Sequence, residues 1–176
     1  MKVVFDIQRL HPLALKRGVG FYTENLVKAL NNLEDSNEYI LSQKRLKNIN
    51  FDLIHYPFFD PFFLTLPFLK KKPAIVTIHD LTLIKFPKQY QPGLKGKAKF
   101  IIQNLSLKNI SAVITDSINS KKDILKILRI PENKVHVVYL AADKNFKKLA
   151  NNKWEVKVRE KYHLPNKFIL YVGDLN

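Results

Sequence analysis

Ala74-Ile75-Val76-Thr77-Ile78-His79-Asp80-Leu81 opens with five apolar or β-branched residues and then delivers a histidine and a carboxylate. A run this short and this apolar reads as a strand covered on both faces, as in a parallel sheet flanked by helices. In an open α/β sheet, ligands sit outside the carboxyl ends of the strands. His79 and Asp80 therefore fall where such a sheet does its chemistry.

The same layout recurs on either side. Lys2–Ile7 is a nearly continuous apolar strand, followed by a loop over Gln8–Arg17 that carries Arg9, His11 and Pro12. Gly18-Val19-Gly20 leads into a helix whose apolar positions are Val19, Tyr22, Leu26, Ala29, Leu30 and Leu33. Tyr39–Ser42 and Phe51–Pro57 are further strands, the second ending in His55-Tyr56-Pro57. Pro61 and Pro67 argue against a long regular helix in the phenylalanine-rich stretch Phe58–Leu69. A loop is expected over Lys85–Gly96, then a helix over Lys97–Ile110 with Ala98, Ile101, Ile102 and Leu105 on one face. Ala112–Thr115 is a strand, and Ser117 is placed to cap the next helix. Ile124, Leu125, Ile127 and Leu128 form that helix's buried side, Pro131 ends it, and Val135–Leu140 is one more strand.

Strands and helices alternate, so the expected fold is α/β: a Rossmann-like parallel sheet with helices on both faces. Residues 1–150 are expected to form this domain. Asn145–Asn152 reads as a linker, Trp154–His163 as a helix, and Lys167–Asp174 as a strand running into a glycine turn. Residues 151–176 are thus expected to be a linker helix and the first strand of a second domain.

Composition narrows the function. Apolar residues make up 46% of the 176, enough for a packed core, and there are no cysteines, which removes disulfides and thiolate metal sites. The first residues do not form a signal peptide, and no stretch is apolar for long enough to cross a bilayer. Thirty Lys and Arg against fifteen Asp and Glu give a formal charge of +15, which draws the chain to phosphate-rich partners. Nucleic acid is not the expected one, because the basic residues do not gather on one recognition helix and no nucleic-acid motif is present.

Gly18, Val19 and Gly20 lie where backbone can approach a phosphate or sugar at a helix start. A dinucleotide fingerprint does not fit: Thr23 holds the third glycine position, and about ten residues separate strand from glycines where that motif has a tight turn. No lysine and Ser/Thr follow to make a Walker loop. His79 and Asp80 are candidates to position or polarise a hydroxyl. Arg9, His11, His55, Tyr56 and Ser117 are candidates to line the same crevice, whereas His136 and His163 read as structural. No spacing among these groups suits a metal. The phenylalanines at 58, 59, 62, 63 and 68, followed by Lys70-Lys71-Lys72, suit three uses: core packing, a greasy acceptor pocket, or an anionic membrane interface.

Taken in order, these segments resemble the N-terminal half of family 4 glycosyltransferases of the GT-B fold. The resemblance runs through Asp6 and Arg9, Gly18–Leu26, Phe51–Pro57, Thr77–Leu81 with Phe86-Pro87, Ala112–Ile124, Ile130–Val135 and Phe168–Asp174. It implies transfer of a sugar from a nucleotide-sugar donor to a glycan or lipid-linked acceptor, with retention at the anomeric carbon. It implies that Gly18 and Gly20 approach the donor, and that His79 contacts the donor sugar. It further implies that no metal or other cofactor is needed. That family's paired glutamates and diphosphate-gripping basic residues belong to a C-terminal donor domain, so this chain alone is expected to be inactive without that domain in cis or trans. A cytoplasmic location is expected, at most peripheral on the inner face of the cell membrane. The competing expectation is a non-catalytic partner or anionic-membrane docking domain.

Overall fold

The structure is a computed structural model that describes residues 1–10, 12–43, 46, 49–143, 146–147 and 153–172. Contacts group the chain into two compact units, Met1–Ala141 and Ala142–Asn176. In the first unit the described residues contain six strands: β1 (Lys2–Asp6), β2 (Glu38–Ser42), β3 (Leu53–Tyr56), β4 (Ala74–Thr77), β5 (Ala112–Thr115) and β6 (Val135–Val137). They form one sheet in the order β2-β1-β3-β4-β5-β6, and every neighbouring pair is parallel. Between them run α1 (Pro12–Leu15), α2 (Gly18–Asn31), α3 (Thr82–Lys85), α4 (Gly93–Leu107) and α5 (Ile118–Asp123), the last continuing as a π-helical turn over Ile124–Leu128. The expected Rossmann-like α/β fold is what the chain adopts.

The chain lays β2 on one side of β1 and β3 on the other. The carboxyl ends of β1 and β3 therefore flank a topological switch point, where sheets of this kind form their crevice. Strand residues alternate between the two faces. Val3 and Phe5 pack against Val27 of α2 on one face. Ile54, Val76 and Val113 pack with Leu107 of α4 and with Ile124 and Leu128 on the other. Parallel strands covered this way read as continuous apolar runs, which is why they were visible in the sequence.

Two helices depart from their expected faces. In α2 the buried residues are Gly20, Thr23 and Val27, and Leu26 and Leu30 pack against the core as expected, whereas Ala29 is exposed, as is Leu33 just past the helix end. Thr23 tolerates burial because its hydroxyl donates to the Val19 carbonyl at 2.7 Å. In α4, Gly96, Gln103, Ser106 and Leu107 face inward, and Ala98, Ile101, Ile102 and Leu105 face solvent. The helix also begins at Gly93, so residues 93–96 are not loop. Gly96 is required by close packing: a Cβ there would stand 2.6 Å from the Pro92 side chain.

Gln103 explains the inverted helix. Its Oε1 accepts from the Leu66 N–H at 3.2 Å and from the Thr65 hydroxyl at 3.4 Å. The polar side of α4 thus satisfies the backbone of the irregular 58–69 segment, which has no ladder of its own. Replacing Gln103 with Leu strands a buried N–H and should cost about 1–3 kcal/mol in urea unfolding. Ile101→Ser, on the opposite side of the helix, should change stability by less than about 0.5 kcal/mol.

In the second unit, α6 (Lys153–Lys161) forms where a helix is expected, with an Arg159–Glu155 pair at 3.0 Å along its surface. The strand expected over Lys167–Asp174 does not form within its described residues, 167–172. A strand needs a neighbour for its N–H and C=O groups, and the described residues of this unit contain no other strand. Most of the expected linker and the Gly173-Asp174 turn lie outside the described residues.

Candidate active site

Register builds the site. Thr77 of β4 pairs with Ile114 of β5. Two residues further along each chain, on the same face, stand His79 and Asp116. Their side chains meet, His79 Nδ1 lying 3.0 Å from Asp116 Oδ2, with each side chain 20% exposed. A carboxylate can only accept, so Nδ1 carries the proton and donates. In the neutral ring Nε2 is then an acceptor. It is covered from solvent and has no hydrogen-bond partner among the described residues. Gln103 Nε2 and Thr115 Oγ1 share that condition among the described residues, and His79 is the one of the three whose residue borders a cleft.

The floor beneath the imidazole is equally specific. His55 Nε2 lies 2.8 Å from Thr77 Oγ1, and its ring packs on Phe5 with centroids 4.7 Å apart. Burial, helped by repulsion from His79, pushes the His55 pKa down to about 4, so it is neutral at pH 7. Tyr22 of α2 reaches the same threonine, its hydroxyl 3.4 Å from Thr77 Oγ1, and burial is the main reason its pKa is raised. The Tyr22 ring and the His79 imidazole meet in a T-shaped contact, with centroids 4.8 Å apart and planes at 87°. Tyr22, in the second turn of α2, therefore stands over the end of β4.

A switch-point sheet whose glycine-led helix abuts a histidine–carboxylate couple agrees with the sequence comparison, in which the model of Glycosyltransferase Family 4 matches residues 14–146. The chain belongs to this family. No curated protein matches it. Membership makes glycosyl transfer, with a sugar donor and an acceptor, the activity of its kind.

Within this family 4 domain the remaining candidates divide by position. A cleft of about 280 Å³ opens beside the imidazole, walled by Phe58, Phe59, Asp60 and Pro61 after β3 and by residues 79–83 after β4. Asp80 lies in that wall but is not the partner of His79; its Oδ1 accepts from the Thr82 N–H at 2.8 Å and so holds the start of α3. Ser117 caps α5, as expected, accepting from the Ser120 N–H at 3.0 Å. Its hydroxyl also donates to Ser120 Oγ at 2.9 Å, which occupies it locally. Arg9 is exposed and donates to the Leu64 carbonyl at 3.3 Å, tying the first loop to the 58–69 segment. His55 and Tyr56 are both buried beneath the rim, not on its open surface. Desolvation, with the Asp6 carboxylate nearby, pushes the Tyr56 pKa up to about 12. His11 lies outside the described residues.

The glycines of the family 4 domain separate as well. A Cβ on Gly20 would overlap the backbone of Leu15 in α1, so this glycine lets two helices touch. Gly18 has open space where a Cβ would be. Gly20→Ala should destabilise the fold by about 1–3 kcal/mol through overpacking. Gly18→Ala should leave stability nearly unchanged, so any loss of donor binding in that variant reports approach of the ligand. Thermal unfolding of the two variants checks the distinction.

Asp116 and Tyr22 are the site residues that the sequence did not single out. Asp116 follows a strand, as Asp80 does, but only register shows which carboxylate meets His79. Tyr22 reads from spacing as one apolar helix position among several.

Proposed function

We propose that this domain is the acceptor-side half of a retaining glycosyltransferase that moves a sugar from a nucleotide-sugar donor to a glycan or lipid-linked acceptor. The observation that carries the reading is the oriented His79–Asp116 couple, its free Nε2 beside the 280 Å³ cleft. Nε2 accepts a hydrogen bond from a sugar hydroxyl, and Asp116 holds the ring in the tautomer that can do so. The backbone at Gly18 lets the donor approach the start of α2. Asp80 and Arg9 border the acceptor, while His55 and Tyr56 support the rim from below. We assign residues 1–150 to this half and residues 151–176 to the lead into a donor domain. That domain, in cis or trans, grips the departing diphosphate through basic side chains and helix dipoles, a role that asks for no metal.

The test is release of nucleoside diphosphate from a panel of nucleotide sugars, with the chain alone and with a family donor domain joined to it. The joined protein should turn over one donor, and the chain alone should not exceed background hydrolysis. A joined protein that transfers sugar equally well with His79→Ala would overturn the assignment.

A further inference from the structure

We propose that Asp60, with Asp80, gives the cleft beside His79 its charge selectivity, so that the sugar ring entering it carries no phosphate or other anionic group. The inference rests on the reading of that cleft as the acceptor's place. It adds a residue, Asp60, that decides which acceptor is taken.

The walls fix the scale of the ligand. Phe58, Phe59, Pro61, Leu81 and Leu83 give the cleft an apolar lining. Phe59 and Leu81 are buried, so this part of the wall is held by the core. Apolar walls with a few placed polar groups are the usual way a protein holds a small ring. At about 280 Å³ the cleft stands just below the common range for such sites, roughly 300–1,000 Å³. That is room on the scale of one sugar ring.

Charge decides which ring. Besides His79, the ionisable side chains on this wall are Asp60 and Asp80, and no lysine or arginine joins them. In a chain with thirty basic and fifteen acidic residues this is a local reversal of sign. Backbone sets both carboxylates in place. Asp60 Oδ1 accepts from the Phe62 N–H at 2.7 Å and from the Phe63 N–H at 3.1 Å. Asp80 Oδ1 accepts from the Thr82 N–H. The Oδ2 atom of each has no hydrogen-bond partner among the described residues. Each can accept from a sugar hydroxyl. Each also repels an anion, more strongly in a half-enclosed cleft than in open water. Lys99 acts on Asp60 through its field, but its ammonium sits 5.0 Å over the Phe63 ring, which is not part of the wall. Among the described residues no group of three or more His, Asp or Glu could hold a metal ion, so the pair is not part of a metal cage. Neither carboxylate takes part in the transfer itself.

Binding to the full 176-residue chain tests this, read from the amide NMR shifts of Phe59 and Leu81. The probes are the methyl glycosides of glucose, mannose and galactose, each beside its monophosphate ester. The surface, at +15, will gather phosphate esters elsewhere, so only shifts at the cleft count. At least one neutral glycoside should shift the cleft amides, and its phosphate ester should bind there at least tenfold more weakly. Asp60→Asn with Asp80→Asn should reduce that ratio about tenfold. The asparagine carbonyl still accepts from the same N–H groups, and thermal unfolding will show that the variant folds. A phosphate ester that binds in the cleft as tightly as its neutral parent overturns the proposal. So does discrimination that survives both substitutions, or a cleft that no glycoside shifts. The readout needs no donor, so it stands apart from transfer. Discrimination at the cleft of a joined protein that moves no sugar would sink the transferase reading and still support the selectivity.

Discussion

His79→Ala should lower sugar transfer by about 100- to 1000-fold in a protein that has its donor domain. The ring is 20% exposed and packs on Tyr22, so some stability is lost as well, and thermal unfolding measured beside transfer separates the two effects. What the substitution removes from the site is an oriented acceptor beside the cleft. Asp116→Asn probes the same couple more finely. The asparagine amide can donate to Nδ1, where the carboxylate could only accept. The proton then moves to Nε2, and the group facing substrate changes from acceptor to donor. Transfer should fall about 100-fold, and nitrogen NMR of the imidazole should show the exchanged tautomer. A role limited to holding the fold would leave the tautomer unchanged, and such a result would remove Asp116 from the mechanism. Asp80→Asn, by contrast, should be mild, because that carboxylate's visible work is to hold Thr82.

Much of the sheet was legible because its strands are buried on both faces. Ala74–Thr77 and Ala112–Thr115 each carry three apolar residues and a β-branched threonine, which leaves no alternating pattern for a competing reading. Helix faces were less legible, and α4 shows why. Spacing reports which residues share a side, and it is silent on which side the tertiary structure requires. The need of the 58–69 backbone for Gln103 outweighed the burial of Ile101 and Leu105. The site was half legible for a similar reason. A strand end announces His79, but its partner lies 37 residues away and is fixed by the Thr77–Ile114 register. Glycine gave an ambiguous signal: Gly18 and Gly20 look alike in sequence, and only the approach of Leu15 separates a packing glycine from an open one.

His55 makes the whole rim sensitive to acid. In the unfolded chain an ordinary histidine titrates near pH 6.5, whereas in the fold burial lowers this one to about 4. The native state therefore favours the neutral ring, and below the unfolded pKa the unfolded chain binds more protons. The associated stability is fully present above about pH 6.5 and is lost as pH falls toward about 4, an effect of roughly 3 kcal/mol. That is a large share of the stability of a typical domain. Asp6 and Asp60 act with the opposite sign, because burial raises their carboxyl pKa values and favours the protonated native state in acid. The clean measurement is therefore a difference. His55→Phe keeps a ring against Phe5 and removes the titration. Urea unfolding from neutral pH to about pH 4 should show wild type losing roughly 3 kcal/mol more than the variant. Equal losses would mean that His55 is not held neutral in the fold. The functional consequence follows from Thr77, which His55 and Tyr22 share. A protonated His55 buries a charge beneath that hydroxyl, so the contact it shares with Tyr22 beside His79 is destabilised in acid.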